Sequence, residues 1–177
     1  MSGRFVADKP ARWAPARHAG DRWRTPACKA APAHDDERLG ALAELHDLLD
    51  GRGIEYWLFG GWAVDFHAGA VSRAHDDLDV AVWAADRDRV PRALESAGWR
   101  LAADESAHGY VAYARGPLVL EVAFLARGPG SDVYTPLADG RASWPDRAFG
   151  DDVAELRGVR ARVISRAAIV AEKSDVR

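Results

Sequence analysis

Leu39, Leu42, Leu45, Leu48 and Leu49 recur at the three- and four-residue steps of one helical face, which predicts a helix over Asp36–Leu49. The Asp35–Asp36–Glu37 cluster suits its N-terminus, and Gly51 and Gly53 stop it. His46 lies beside the stripe and reads as a core-edge or surface histidine. Ile54–Phe59 (IEYWLF) is almost continuously apolar, the pattern of a short strand buried on both faces. Further on, Asp86 or Asp88 can cap a helix over Arg89–Ala97, with Pro91 tolerated in the first turn and Gly98 closing it. Trp99–Ala102, Tyr110–Ala114 and Leu118–Leu125 read as strands, the last two joined antiparallel through Gly116–Pro117. Arg127–Gly150 is rich in Gly, Pro, Asp and Ser and reads as a long substrate-facing loop with little regular structure. Glu155–Ile164 reads as a hairpin around Gly158, and Ser165 can cap a last helix over Arg166–Ser174. The sum is an α+β fold: a mixed sheet of about four or five strands with helices packed on one side.

The stretch Phe59–Val82, FGGWAVDFHAGAVSRAHDDLDVAV, departs from ordinary patterning. An apolar strand ends in a glycine pair, a short helix follows, and a basic loop leads into a second strand. Gly60 and Gly61 before a helix start are the usual means of bringing backbone N–H groups to a phosphate. Asp77 and Asp79 stand at i and i+2 of the second strand. Side chains so spaced share a face about 6–7 Å apart, a fit for a divalent metal. Asp76 has the opposite parity and should face away. Asp65, on the short helix, is expected to pair with Arg73. Arg73 and His75 either contact a triphosphate or hold the loop; both roles stay open.

Two aspartates need a third oxygen ligand. Glu121 is the candidate, the one charged residue in the apolar strand LVLEVAFL. A carboxylate buried there unpaired costs several kcal/mol, so it should face metal, partner or solvent. The chemistry belongs at one sheet edge, where the first two strands meet the strand of Glu121.

Composition narrows the class. With 177 residues, 48% hydrophobic and 29% charged, the chain is long enough for one domain with a real core. Cys28 is the only cysteine, which excludes a disulfide framework and a zinc cluster. No run is long and apolar enough for a membrane span, and no signal-peptide core is present, so a cytoplasmic protein without membrane association is expected. Residues 1–34 read as a disordered, basic, Ala/Pro-rich arm, and 35–177 as the folded domain. Met1–Ala33 carries a net +5, which leaves −8 on the remainder of a chain whose total is −3. A body this acidic is a poor binder of nucleic acid and attracts a cationic small molecule. Seven tryptophans in a short chain could furnish a homodimer interface.

Gly60–Gly61–Trp62–Ala63–Val64–Asp65, then Gly69, then Arg73-x-His75-Asp76-Asp77-Leu78-Asp79, resembles the signature of small antibiotic nucleotidyltransferases. These are the lincosamide and aminoglycoside 2''-O-adenylyltransferases of the polymerase-beta-like nucleotidyltransferase superfamily. The likeness runs from about Leu39 to Lys173. It implies a nucleotidyltransferase fold in which Gly60 and Gly61 hold nucleotide phosphates. The resemblance further implies that Asp77, Asp79 and Glu121 bind Mg2+, two ions in such sites, and that Glu121 can also act as base. The reaction implied moves a nucleoside monophosphate, AMP from ATP, to a hydroxyl of a small antibiotic-like acceptor. Two departures stand out: Glu121 occupies a position where these relatives commonly have Asp, and the chain ends soon after Lys173, where aminoglycoside enzymes continue with further helices. The acceptor half is therefore expected to be incomplete or completed by a dimer partner. A protein or RNA acceptor, as in toxin-like members, and a catalytically inactive nucleotide-binding module are the competing readings.

Overall fold

The structure, a computed structural model, describes residues 32–174. Helix α1 (Pro32–Asp50) starts earlier than the leucine stripe alone indicates, since Pro32 in a first turn forfeits no hydrogen bond. The expected arm lies outside the described residues up to residue 31. The stripe behaves as read, with Leu39, Leu42, Leu45 and Leu49 all buried.

The main sheet contains β1 (Tyr56–Leu58), β2 (Leu78–Trp83), β3 (Arg100–Glu105), β4 (Tyr110–Arg115) and β5 (Leu118–Arg127). Their spatial order is β1-β2-β5-β4-β3. Gly116, at φ 57°, makes the tight turn that pairs β4 with β5 antiparallel. By contrast β2 and β5 pair parallel, which demands a crossover. Helix α3 (Arg89–Ser96) and the β3–β4 hairpin supply it. The expected capping of α3 is not seen: Asp88 precedes the helix without a side-chain cap, and Asp86 instead forms an ion pair with Arg89 at 2.5 Å.

Both faces of this parallel pair are covered, as its apolar runs require. Leu78, Val80, Val82, Leu120 and Val122 join α1 and α3 in one cluster. On the opposite face Trp57, Ala81, Ala123 and Leu125 meet Ala142, Trp144 and two residues of α4 (Arg166–Ser174), Ala168 and Ile169. Ser165 caps α4 as expected, its Oγ accepting from Ala168 N at 3.2 Å.

The stretch read as the loop Arg127–Gly150 is corrected in part. It contains β6 (Val133–Leu137) and β7 (Gly140–Ser143), a hairpin that pairs with the end of β5 and brings the sheet to seven strands, five of them on the main path. Asp132, Pro136 and Gly140 disguise the alternation, yet Thr135 and Ala142 point inward and Trp144 donates its indole N–H to Thr135 Oγ1 at 3.0 Å. The β8 (Val153–Leu156) and β9 (Val159–Arg162) hairpin turns on Arg157 and Gly158, at φ 50° and 81°. Two such residues are the pattern of the hairpin turn whose twist suits antiparallel strands. Ile164 N then donates to Leu58 O at 3.0 Å, which covers the outer edge of β1. Trp57, Trp62, Trp99 and Trp144 are buried, so these four tryptophans serve the core. No helix among the described residues is long and apolar enough to cross a membrane.

Candidate active site

The parallel register sets Asp79 of β2 directly opposite Glu121 of β5. Asp77 precedes β2 by one residue and has the same parity as Asp79. A carboxylate oxygen from each of Asp77, Asp79 and Glu121 lies within 4.8 Å of the other two. The structure thus brings the three sequence-selected carboxylates together, and Asp76 is exposed, as its parity predicts.

Their electrostatics follow from this crowding. Burial, reinforced by the Asp77 charge, pushes the Glu121 carboxyl up to about 7. Burial and the neighbouring Asp76 raise the Asp77 carboxyl as well, with His75 and Arg73 opposing. Half-buried oxygens that repel one another are the donor set of a hard divalent cation, which would relieve both effects. The residues therefore fit a hard divalent cation.

Beside the cluster runs α2 (Gly60–Ala68). Phe59 N donates to Asp79 O at 3.0 Å, which ties the chain entering α2 to β2, the strand of Asp79. Gly60 has φ 67°, and a Cβ there would collide with the Asp79 carboxylate, so only glycine fits so close. Phe59, the N-cap residue, makes no side-chain cap bond to α2, and no acidic residue occupies the helix's first turn. The first N–H groups of a helix lack intrahelical carbonyl partners, so this helix start is of the kind that can receive an anion next to the carboxylates.

The loop from α2 to β2 carries the remaining candidates. Arg73 is exposed, donates from Nη1 to Ala74 O at 2.9 Å, and holds Nη2 about as near as 2.8 Å to where a Gly61 Cβ would stand. His75 is only 3% exposed and packs against Gly61, whose missing Cβ makes room for its ring. The expected Asp65–Arg73 pair is replaced. Asp65 is fully buried and accepts from His75 Nε2 at 2.6 Å, from Ser72 N at 3.1 Å and from Ser72 Oγ at 2.5 Å. A buried carboxylate requires such saturation, and the exposed guanidinium could not reach it without desolvation.

Two residues make contacts here that were not read from the sequence, where Trp62 stands only as part of the signature and Tyr110 only as a strand residue. Trp62 stacks on His75 with ring centroids 4.7 Å apart and donates Nε1–H to Asp77 O at 3.1 Å. Tyr110 of β4 lies opposite Ala123, on the face of Glu121, and burial with the Glu121 charge raises its hydroxyl. A tryptophan or tyrosine in an apolar run carries no signal of such a role.

The sequence model of the aminoglycoside-2''-adenylyltransferase family matches residues 41–172. A 2''-aminoglycoside nucleotidyltransferase of Klebsiella pneumoniae is 34% identical over 71 residues, a match spanning 38% of this chain and 40% of the relative's length. A lincosamide resistance protein of Staphylococcus haemolyticus is 36% identical over 55 residues, 31% of this chain and 34% of that protein. The fold is shared with the crystal structure of ANT(2'')-Ia in complex with adenylyl-2''-tobramycin, at TM-score 0.64 and 19% identity over 77% of this chain and 74% of the other. It is also shared with the lincomycin-bound lincosamide antibiotic adenylyltransferase LnuA, at TM-score 0.62 and 20% identity over 75% and 83%. Because the family model takes in the sheet, the glycine loop and all three carboxylates, the chain belongs to the aminoglycoside-2''-adenylyltransferase family.

Proposed function

We propose that the protein transfers AMP from ATP to a hydroxyl of a small antibiotic-like acceptor such as an aminoglycoside or lincosamide. The observation that carries this reading is the convergence of Asp77, Asp79 and Glu121 beside the glycine-led start of α2. The names of the relatives supply the acceptor class, and the −8 left outside Met1–Ala33 suits a cationic one.

In this reading the first N–H groups of α2 and the Arg73 guanidinium hold the triphosphate. Asp77, Asp79 and Glu121 hold magnesium, which when bound supplies charge neutralisation and acidifies a coordinated hydroxyl. The acceptor oxygen attacks the α-phosphorus in line, the bond to the bridging β-phosphate oxygen breaks, and pyrophosphate leaves. A Glu121 carboxylate oxygen takes the proton of the attacking hydroxyl. Little covalent chemistry falls to the protein; its task is positioning and charge.

The test is mass spectrometry of aminoglycoside and lincosamide panels incubated with magnesium and each nucleoside triphosphate, with Asp79→Asn as control. An acceptor gaining one AMP with the intact chain alone is the expected result. Triphosphate binding without any modified drug would reassign the acceptor, and no nucleotide binding at all would overturn the proposal.

A further inference from the structure

We infer that Asp65, His75 and Trp62 form a buried positioning device that fixes the triphosphate-binding groups against the metal strand. The inference rests on the nucleotidyl-transfer reading above and assigns roles to residues that touch no reacting atom. Asp65 lies four residues after Gly61, one turn along the same face of α2. Its Oδ1 takes both donors of Ser72, and its Oδ2 takes His75 Nε2–H. The loop is thereby pinned at both ends of the Ser72–His75 segment, with Arg73 between the two pins.

The pinned histidine is also the surface on which the glycine loop rests. Its ring occupies the space a Gly61 side chain would need, and the Trp62 indole covers it from α2. The same indole reaches across to the Asp77 carbonyl. Three sets of groups are thus referred to one buried centre: the N–H groups at the start of α2, the Arg73 guanidinium, and the backbone of a metal-binding aspartate. A well-packed apolar trio would stabilise the fold as well as this polar one, because burying such groups costs what their pairing returns. What the polar trio adds is direction, since each hydrogen bond fixes an angle as well as a distance.

The device acts on triphosphate placement ahead of metal binding, and the test separates the two. In Asp65→Asn and His75→Leu the KM for ATP rises about 10- to 100-fold, the scale of an ångström's misplacement. The thermal shift produced by magnesium alone stays at the wild-type value in both. His75→Gln, whose amide nitrogen can take the place of Nε2, recovers most of the lost affinity. Ser72→Ala, which removes one bond and leaves the carboxylate in place, shows a smaller rise in the same direction should Asp65→Asn fail to fold. Trp62→Phe keeps the ring and loses the Asp77 link, so it moves kcat more than KM. Wild-type KM values in Asp65→Asn, His75→Leu and Ser72→Ala would overturn the inference, as would equal loss of the magnesium and nucleotide responses or no recovery in His75→Gln. A wild-type protein that gives no thermal shift with magnesium and ATP would instead overturn the functional reading, and the inference with it.

Discussion

Glu121→Gln removes a charge that the folded chain holds at a cost. The Glu121 carboxyl rises from 4.5 to about 7 through burial and the Asp77 charge. Between these values the folded protein keeps a proton that the unfolded chain has released, so stability falls as pH rises across this window and levels off above about 7. The full shift corresponds to about 3 kcal/mol, and water reaching this half-buried group lowers the realised figure to about 1–3 kcal/mol. Gln keeps the shape without the charge. At pH 8 and free of metal, Glu121→Gln should therefore melt roughly 2–12 °C above wild type, given about 2–4 °C per kcal/mol for a chain of this size. At pH 4.5 the difference should nearly vanish. Adding magnesium at pH 8 should reverse the order, raising the wild-type melting temperature and leaving the variant almost unmoved. Calorimetry over a pH series, with and without magnesium, reads all three effects. A variant less stable than wild type at pH 8, or a gap independent of pH, would show that Glu121 is anchored rather than repelled and would refute the carboxylate-cluster argument.

Three other perturbations address the remaining parts of the site. Asp79→Asn should lose at least about a hundredfold in turnover, roughly 2.7 kcal/mol, measured by release of pyrophosphate; near-normal turnover would sink the metal assignment. Gly60→Ala combines a left-handed backbone, worth about 1–2 kcal/mol, with a clash against Asp79, so both melting temperature and nucleotide response should drop. A wild-type melting curve in that variant would mean the close approach is not needed. Arg73→Ala, at an exposed position, should leave stability within about 0.5 kcal/mol and raise the KM for ATP about tenfold. An unchanged KM there would remove Arg73 from the phosphate site.

The sequence was informative wherever chemistry and chain order coincide. Gly60, Gly61, Asp77 and Asp79 lie within one supersecondary unit, so their meeting needs only strand parity and a helix start. Glu121 was legible for a different reason: a carboxylate in LVLEVAFL has no comfortable apolar explanation. Asp65 in GGWAVDFHA sends the same signal, but its partner could not be read, because choosing His75 over Arg73 depends on which side chain the loop turns inward. The β6–β7 hairpin was hidden by Pro136 and Gly140, whose turn-forming character outweighs four- and five-residue strands. Its inward residues become recognisable only once β5 and Trp144 give them something to cover.

The parallel pairing of β2 with β5 has a consequence for how activity is gained and lost. Asp79 and Glu121 face each other only after α3, β3 and β4 have closed the crossover between their strands. The carboxylate cluster is therefore a late, non-local product of folding. It inherits the all-or-none character of the sheet's centre, so fraying at the β3 edge leaves it intact, whereas no fragment ending before β5 carries any part of its function. On the proposed assignment, split halves divided between β2 and β5 would gain metal affinity only on reassociation, and metal binding would then report native strand pairing.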